Sequence, residues 1–437
     1  MKIKRIIIVL LFSLFTLLAI GNVFSEKVQI VWWHAMSGSR LKVVTSIVNE
    51  FNASHPDVRL KALFTGSYAE TLTKFISAYR THSAPNLVQV YEVGTQTMLD
   101  SGAIVPVYRL PEMLGESWDW AKYIIPILNY YSVGGKLYSM PFNSSTAMLY
   151  YNKDLFRRAG LDPNSPPSTW QELESLGTKI KQRTSVRAVL SFGWPGWIFE
   201  QMYATHNQLL ANMDNGRSGR ATQMYVNSSF GVKVLDTWTR LSKKGIFLYG
   251  GPEYSANKAF ISGQIAMLMQ STSSLAGIEK AASFKVGTSF LPHFTGYPSG
   301  NSVIGGGSLW VPKGQSNSQL RGVWEYLKFL GKTETAIEWH KGTGYFPTTT
   351  SAMKALMDQE WFSEDQNFLT AFLQILSGRR DTAAATGVRI GPFVKYRELE
   401  RAAIERAVSG STSPKRALDN LERQANSQLA SYNRLYR

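Results

Sequence analysis

The chain switches repeatedly between two hydrophobic periods. From Val28, VQIVWW is a near-continuous apolar run, the pattern of a buried strand. In RLKVVTSIVNEF, Leu41, Val44, Ile47, Val48 and Phe51 fall on one helical face. NASHPD is a turn cluster, and VRLKALF reads as the next strand. YAETLTKFISAY stripes Tyr68, Leu72, Phe75, Ile76 and Tyr79 along a second helix, APN breaks it, and LVQVYEV is again strand-like. Strand–helix–strand–helix–strand predicts an α/β domain with a mostly parallel sheet. Ligands of such sheets sit in the crevice at the carboxyl ends of the strands. Glu92, just before Gly94, lies at one such end, and Trp33 and His34 at another. Tyr68 opens the helix after the strand that ends near Phe64.

Downstream, SVGGKLYSMPF is hairpin-like and leads into NSSTAMLYYNKDLFRRAGL. SPPSTWQELESLGTKI reads as a loop and a helix start, with Ser168 as N-cap and Glu172 in the first turns. Helical patterns dominate from there to about residue 280. GGGSLWVP returns to turn and strand, LRGVWEYLKFLG is a helix, and SPKRALDNLERQANSQL is another, with Ser413 as N-cap and Pro414 first in the helix. No internal repeat or low-complexity linker is visible, so two domains would be tied by several chain crossings. A length of 437 residues, 44% of them hydrophobic, suits two domains with a large core.

The first 25 residues change the reading of charge. MKIKRIIIVLLFSLFTLLAIGNVFS has Lys2, Lys4 and Arg5, an apolar run from Ile6 to Ile20, and small residues before a cut, the layout of a cleavable secretory signal peptide. The run is short for a membrane span, which needs about 20 residues. Its removal lowers the formal charge of +16 by three, and the remaining excess suits anionic partners. Lys and Arg are dispersed and no basic-aromatic motif is present, so nucleic acid is not expected. The chain has 0 cysteines, which excludes disulfides, thiolate metal sites, a catalytic Cys and a lipid anchor at the cleavage point. A protein free in solution after export is expected.

Catalytic patterns are sparse. None of His34, His55, His82, His206, His293 and His340 has metal-ligand spacing. GxSxG and the Gly-rich nucleotide fingerprints are absent. Glu398 and Glu400 sit in a charge-rich helical tail and read as a solvated face rather than a glycosidase pair. No cofactor is implied and no enzyme is expected. SFGWPGWIFE sets Trp194 and Trp197 on a bend around Pro195 and Gly196. The residues alone leave two readings of that pair, core filling or a stacking wall for a ligand.

PFNSSTAMLYYNKDLFRRAGLDPNSPPSTWQEL, residues 141–173, resembles the signature of family 1 extracellular solute-binding proteins, the capture subunits of ABC importers. YRTHSAPNLVQVYEVGTQTML, SFGWPGWIFEQ, VIGGGSLWVPKG, EWHKGTGYFPTT and GVRIGPFVKYRELE narrow the likeness to members that capture glycerol 3-phosphate. The likeness runs over essentially the whole chain after residue 25. It implies an α/β fold of two lobes, of the type II, maltose-binding-protein-like kind, with ligand between them. The implied division is 1–25 signal peptide, 26–140 plus 303–340 N-terminal lobe, and 141–302 plus 341–437 C-terminal lobe. Hinges are expected near Pro141, near Val303 and around 335–345.

By the same resemblance the ligand contacts are Tyr68 of GSY, Glu92 of YEVGT, Ser145 of FNSS, Trp194 and Trp197 of GWPGW, Ser271, Gly306 before GSLW, Tyr345 of TGY, and Arg397, with Arg389 as its rival. A neighbouring Ser in MLMQSTSSL is a rival for Ser271. These residue types suit a phosphorylated glycerol: Arg397, Ser145, Ser271, Tyr345 and Gly306 for phosphate, Trp faces for apolar walls. A Trp face also suits the quaternary ammonium of a diester such as glycerophosphocholine. Glu92, repelled by a dianion, is expected at the far end beside Tyr68, accepting from glycerol hydroxyls. The implied partners are that small molecule and the transmembrane permease subunits of an ABC importer, with the protein a monomer in the periplasm. The alternatives are a binding protein for a neutral sugar or oligosaccharide and, from another class, an exported phosphodiester hydrolase.

Overall fold

The structure, a computed structural model, describes residues 27–379 and 381–436. The signal-peptide reading of residues 1–25 lies outside the described residues. The strands in chain order are β1 Val28–His34, β2 Val58–Phe64, β3 Leu87–Tyr91, β4 Ile104–Val105, β5 Ser132–Val133, β6 Lys136–Leu137, β7 Met140–Ser145, β8 Ala147–Asn152, β9 Ala188–Phe192, β10 Ile265–Ser271, β11 Val286–Ser289 and β12 Gly305–Pro312.

One sheet has the order β2-β1-β3-β12-β4, with β7 also pairing β12. The β1, β2 and β3 pairings are parallel. Parallel neighbours need a crossover, and the helices Ser39–Ser54 and Tyr68–Arg80 supply it. β12 returns late in the chain and runs antiparallel to β3, β4 and β7. The other sheet has the order β11-β8-β10-β9, in which β10–β9 is the parallel pair. Only Thr146 separates β7 from β8, so the chain passes from one sheet to the other there. The Asn317–Leu330 helix packs on β1, and Phe393–Val408 packs on Pro195–Thr205, Ser229–Lys243 and Pro414–Leu435.

Val44, Ile47, Val48 and Phe51 are buried as the helical stripe predicts, whereas Leu41 in the first turn is exposed. Ser413 and Pro414 start the last helix. Two readings change. β9 and β10 interrupt the stretch read as helical. AVLSF and IAMLMQS are buried on both faces, so they show no alternation that separates a strand from a buried helix. Thr169, not Ser168, is the N-cap: its hydroxyl accepts from the Glu172 N–H, and the Glu172 carboxylate accepts from the Thr169 N–H. Ser168 adds its own N–H and O–H to the same carboxylate. Among the described residues, no helix is long and apolar enough to cross a membrane.

Candidate functional site between the sheets

The carboxyl ends of strands from both sheets converge on one cleft. Tyr68 is held at its edge from several sides. Ser67 and Glu70 form a capping box that fixes the start of its helix. Its ring stacks on Tyr91 at 5.2 Å, and its hydroxyl accepts from Asn143 Nδ2 at 2.7 Å. Asn143 is itself fixed by Gln89 Nε2 at 2.7 Å. Ser145 ends β7 and Ser271 ends β10, and Ser271 Oγ donates to Ser145 Oγ at 2.9 Å. Ser271 also meets Ser273 Oγ at 2.9 Å, so the neighbouring Ser is a partner in the same polar chain.

β12 approaches so closely that side chains are excluded. At Gly306, φ is +100° and a Cβ would stand 1.8 Å from the Asn143 carbonyl oxygen. At Gly305 a Cβ would stand 2.5 Å from Trp197 Cζ2, so the indole lies against bare backbone. Trp194 has φ 55° and ψ 60° as it turns the chain into the Pro195–Thr205 helix. This left-handed conformation is strained for a non-glycine residue and is characteristic of functional loops. Its ring meets Tyr254 edge-on at 5.5 Å. Trp197 is 4% exposed, and its Nε1 has no hydrogen-bond partner among the described residues. Tyr345 stacks on Trp339 at 5.4 Å, and its hydroxyl meets that of Tyr68 at 3.4 Å.

Tyr68, Glu92, Ser145, Trp194, Trp197, Ser271, Gly306, Tyr345 and Arg397 all line one inner cavity of about 30 Å³, together with Tyr91, Tyr254 and Gly305. An outer chamber of about 260 Å³ shares Tyr68, Tyr91, Trp194, Trp197 and Arg397 and adds Glu253, Glu398 and Arg401. Arg389 is elsewhere: it donates to the Arg217 carbonyl and lines a separate cavity of about 190 Å³.

The electrostatics differ from the expected arrangement in two respects. Glu92 is not held away from Arg397. Arg397 Nη1 donates to Glu92 Oε1 at 2.6 Å, and its Nε and Nη2 make a bidentate pair with Glu200 at 2.8 and 2.7 Å. Glu400, read as solvated, is fully buried and accepts from the Tyr396 hydroxyl at 2.7 Å, while Glu398 faces out and pairs with Lys395. Helical spacing explains this: Phe393, Tyr396, Arg397 and Glu400 share the inward face. Burial, opposed by Arg397, raises the Glu200 pKa. Burial and then the Glu200 charge raise that of Glu400 further. Burial alone would lower the Arg397 pKa, but Glu200 and Glu92 outweigh it and hold the guanidinium charged. One cation thus faces three carboxyl groups, and this end of the cleft has no positive charge to spare. Burial also raises the Tyr68 and Tyr254 pKa values, so both phenols remain hydrogen-bond donors. Among the described residues no group of three or more His, Cys, Asp or Glu is placed to hold a metal ion.

Glu200, Tyr91 and Tyr254 were not singled out by sequence reasoning. Glu200 carried a usable signal. It is an acid in PGWIFEQMYAT, a helix otherwise almost free of charge and buried nearly all round, and such a carboxylate needs a cation.

Residues 46–370 match the family of bacterial extracellular solute-binding proteins. The chain belongs to that family. Relatives of this solute-binding protein include the sn-glycerol-3-phosphate-binding periplasmic protein UgpB of Escherichia coli K12, 36% identical over 421 residues, 94% of this chain and 96% of the relative. UgpB of Pectobacterium atrosepticum is 36% identical over 407 residues, 92% of this chain and 91% of the relative. Among solved structures, UgpB from Mycobacterium tuberculosis in complex with glycerophosphocholine superposes with a TM-score of 0.78 at 19% identity, covering 93% of this chain and 99% of that one. Maltose-bound MalE3 of T. maritima gives 0.75 at 16% identity, covering 93% and 100%. The fold of this solute-binding protein is therefore the two-lobed, maltose-binding-protein-like α/β fold.

Proposed function

We propose that this solute-binding protein is a periplasmic capture subunit, exported by a cleavable signal peptide, that delivers sn-glycerol 3-phosphate or a glycerophosphodiester such as glycerophosphocholine to the permease of an ABC importer. The observation that carries the reading is the polarity of the cleft. Ser145, Ser271, Tyr345 and the Gly306 backbone supply neutral donors at one end, and at the other Glu92 supplies the acceptor while its partner Arg397 donates. The relatives' names point the same way. In this reading the phosphate lies at the serine end and the glycerol hydroxyls lie on Glu92, Arg397 and Tyr68. That reverses the role expected of Arg397, whose charge is already matched. Trp194 and Trp197 wall the ligand, and a choline head would extend into the outer chamber beside Glu253 and Glu398.

The proposed lobes are 26–140 plus 303–340 and 141–302 plus 341–437, and sheet pairing favours Thr146 for the first crossing. Lobe closure on ligand presents one shape to the permease, and contacts to both lobes stabilise it. The protein acts as a monomer and performs no chemistry on its ligand. The test is calorimetry on mature protein unfolded and refolded to strip carried-over ligand. Saturable one-to-one binding of glycerol 3-phosphate or glycerophosphocholine is expected, with the ligand recovered intact. Heat from a neutral oligosaccharide and none from either phosphate ester would transfer the site to sugars; hydrolysis of the diester would make the protein an enzyme.

A further inference from the structure

A second arginine, which none of the motifs marks, stands behind the cleft wall: it lines neither cavity itself and reaches the inner one through Tyr254. Arg40 lies in the first turn of the Ser39–Ser54 helix, and its Nη1 donates to the Tyr254 hydroxyl at 3.1 Å. Its guanidinium also sits over the Tyr254 ring, 4.7 Å from the centroid. Tyr254 precedes β10, in the other sheet's part of the chain, so the contact spans the cleft. Among the described residues Arg40 has no carboxylate partner. Glu253 is near enough to feel its charge but forms no ion pair with it. The phenols of Tyr254, Tyr345 and Tyr68 surround it, and all three line the inner cavity. The other cations at the cleft are matched: Arg397 by Glu92 and Glu200, and Arg401 at the outer chamber by Glu405 at 3.7 Å.

We propose that Arg40 is the anion anchor of this site, a specificity-determining residue that meets the ligand's phosphate beside Tyr254 and favours phosphorylated over neutral ligands. The inference rests on the reading of the ligand as a phosphate ester. Three observations carry it. A phosphate brought into the cleft needs a counter-charge, and Arg397 has none to give. Arg40 spends one of its five N–H donors on Tyr254, which leaves a fork for phosphate oxygens. Tyr254 lines the inner cavity together with Ser271 and Ser145, and Ser271 bonds Ser145 and Ser273, so Arg40 reaches through Tyr254 to the wall that carries the proposed phosphate donors. Tyr254 holds the guanidinium oriented through its hydroxyl and its ring.

A rival role is a latch in which the Arg40–Tyr254 bond merely holds the lobes together. Four proteins separate the two roles: wild type, Arg40→Gln, Arg40→Lys and Tyr254→Phe, each titrated with glycerol 3-phosphate over a range of salt concentrations, with thermal melting as a check on folding. Loss of one charge-assisted contact predicts that Arg40→Gln binds roughly 10- to 100-fold more weakly. Its affinity should also depend less on salt than that of wild type. Arg40→Lys should keep the salt dependence and recover part of the affinity. Tyr254→Phe, which removes the bond and a hydroxyl of the cavity wall but leaves the charge, should weaken binding while keeping the full salt dependence of wild type. Equal losses for Arg40→Gln and Tyr254→Phe with unchanged salt dependence would establish a latch and overturn the proposal. Unchanged affinity in Arg40→Gln would overturn it while leaving the function in place. No binding by wild type would remove the phosphate-ester reading itself and this inference with it.

Discussion

Arg397 sits between Glu92 and Glu200, with Glu400 buried one turn further along its own helix. Removing it leaves buried carboxylates without their cation, an arrangement that costs about 3–5 kcal/mol when one partner of a buried pair is lost. Arg397→Ala should therefore unfold at markedly lower urea concentration than wild type even without ligand; an unchanged midpoint would show that the pair contributes little. The same cluster gives a pH dependence. The pKa values of Glu200 and Glu400 are raised in the folded state, so the folded protein holds protons that the unfolded chain releases. Their contribution to stability is full below the ordinary carboxylate value of about 4.5 and is lost as pH rises through the raised values. Glu400→Gln should raise the melting temperature near neutral pH and flatten its decline above about pH 4.5; a parallel decline in both proteins would acquit Glu400. Residues inside recognisable motifs, such as Glu92 in YEVGT and the GWPGW pair, were legible as cleft residues. Arg40 was not, because a single cation at a helix start looks like any solvated side chain until Tyr254, more than two hundred positions away, is seen beside it.

At the scale of elements, the cleft depends on how near β12 passes to β7. Gly306 pairs with Ser144 and has a left-handed φ, and a methyl group there would collide with the Asn143 carbonyl. Gly306→Ala combines backbone strain of order 1–3 kcal/mol with displacement of Asn143, the residue that orients Tyr68. It should both lower thermal stability and weaken ligand binding, and a variant that melts and binds like wild type would show that β12 can shift without disturbing the site. Elements with their own punctuation were readable in the chain. The Tyr68–Arg80 helix has its Ser67–Glu70 capping box, and the β5–β6 hairpin has Gly134 and Gly135 at φ 55° and 73°, the signature of a two-residue turn. β9 and β10 were hidden for a physical reason. Both of their faces are buried, so hydrophobicity carries no period, and only tertiary packing distinguishes them from helix.

At the scale of the molecule, apolar clusters run through both sheets, and polar contacts bridge the cleft between them. Arg397–Glu92 and Arg40–Tyr254 cross the cleft, and Asp100 reaches over to Arg220 and Tyr432. Such contacts can be exchanged for ligand contacts at modest cost, as hinge closure requires. The inner cavity of about 30 Å³ is small for a phosphate ester, so binding must part the Tyr68 and Tyr345 hydroxyls before the lobes close again. The order of strands and helices made an α/β domain legible, and the resemblance to solute-binding proteins supplied its two lobes. The orientation of ligand within the cleft was not, because it depends on which arginine has a charge to spare. A crystal structure of the stripped protein soaked with glycerol 3-phosphate tests that orientation directly. The account predicts the phosphorus atom at the Ser145–Ser271–Tyr345 end, within reach of Arg40, with the glycerol hydroxyls on Glu92 and Arg397. Phosphate seated on Arg397, with the Glu92 pair broken, would contradict it.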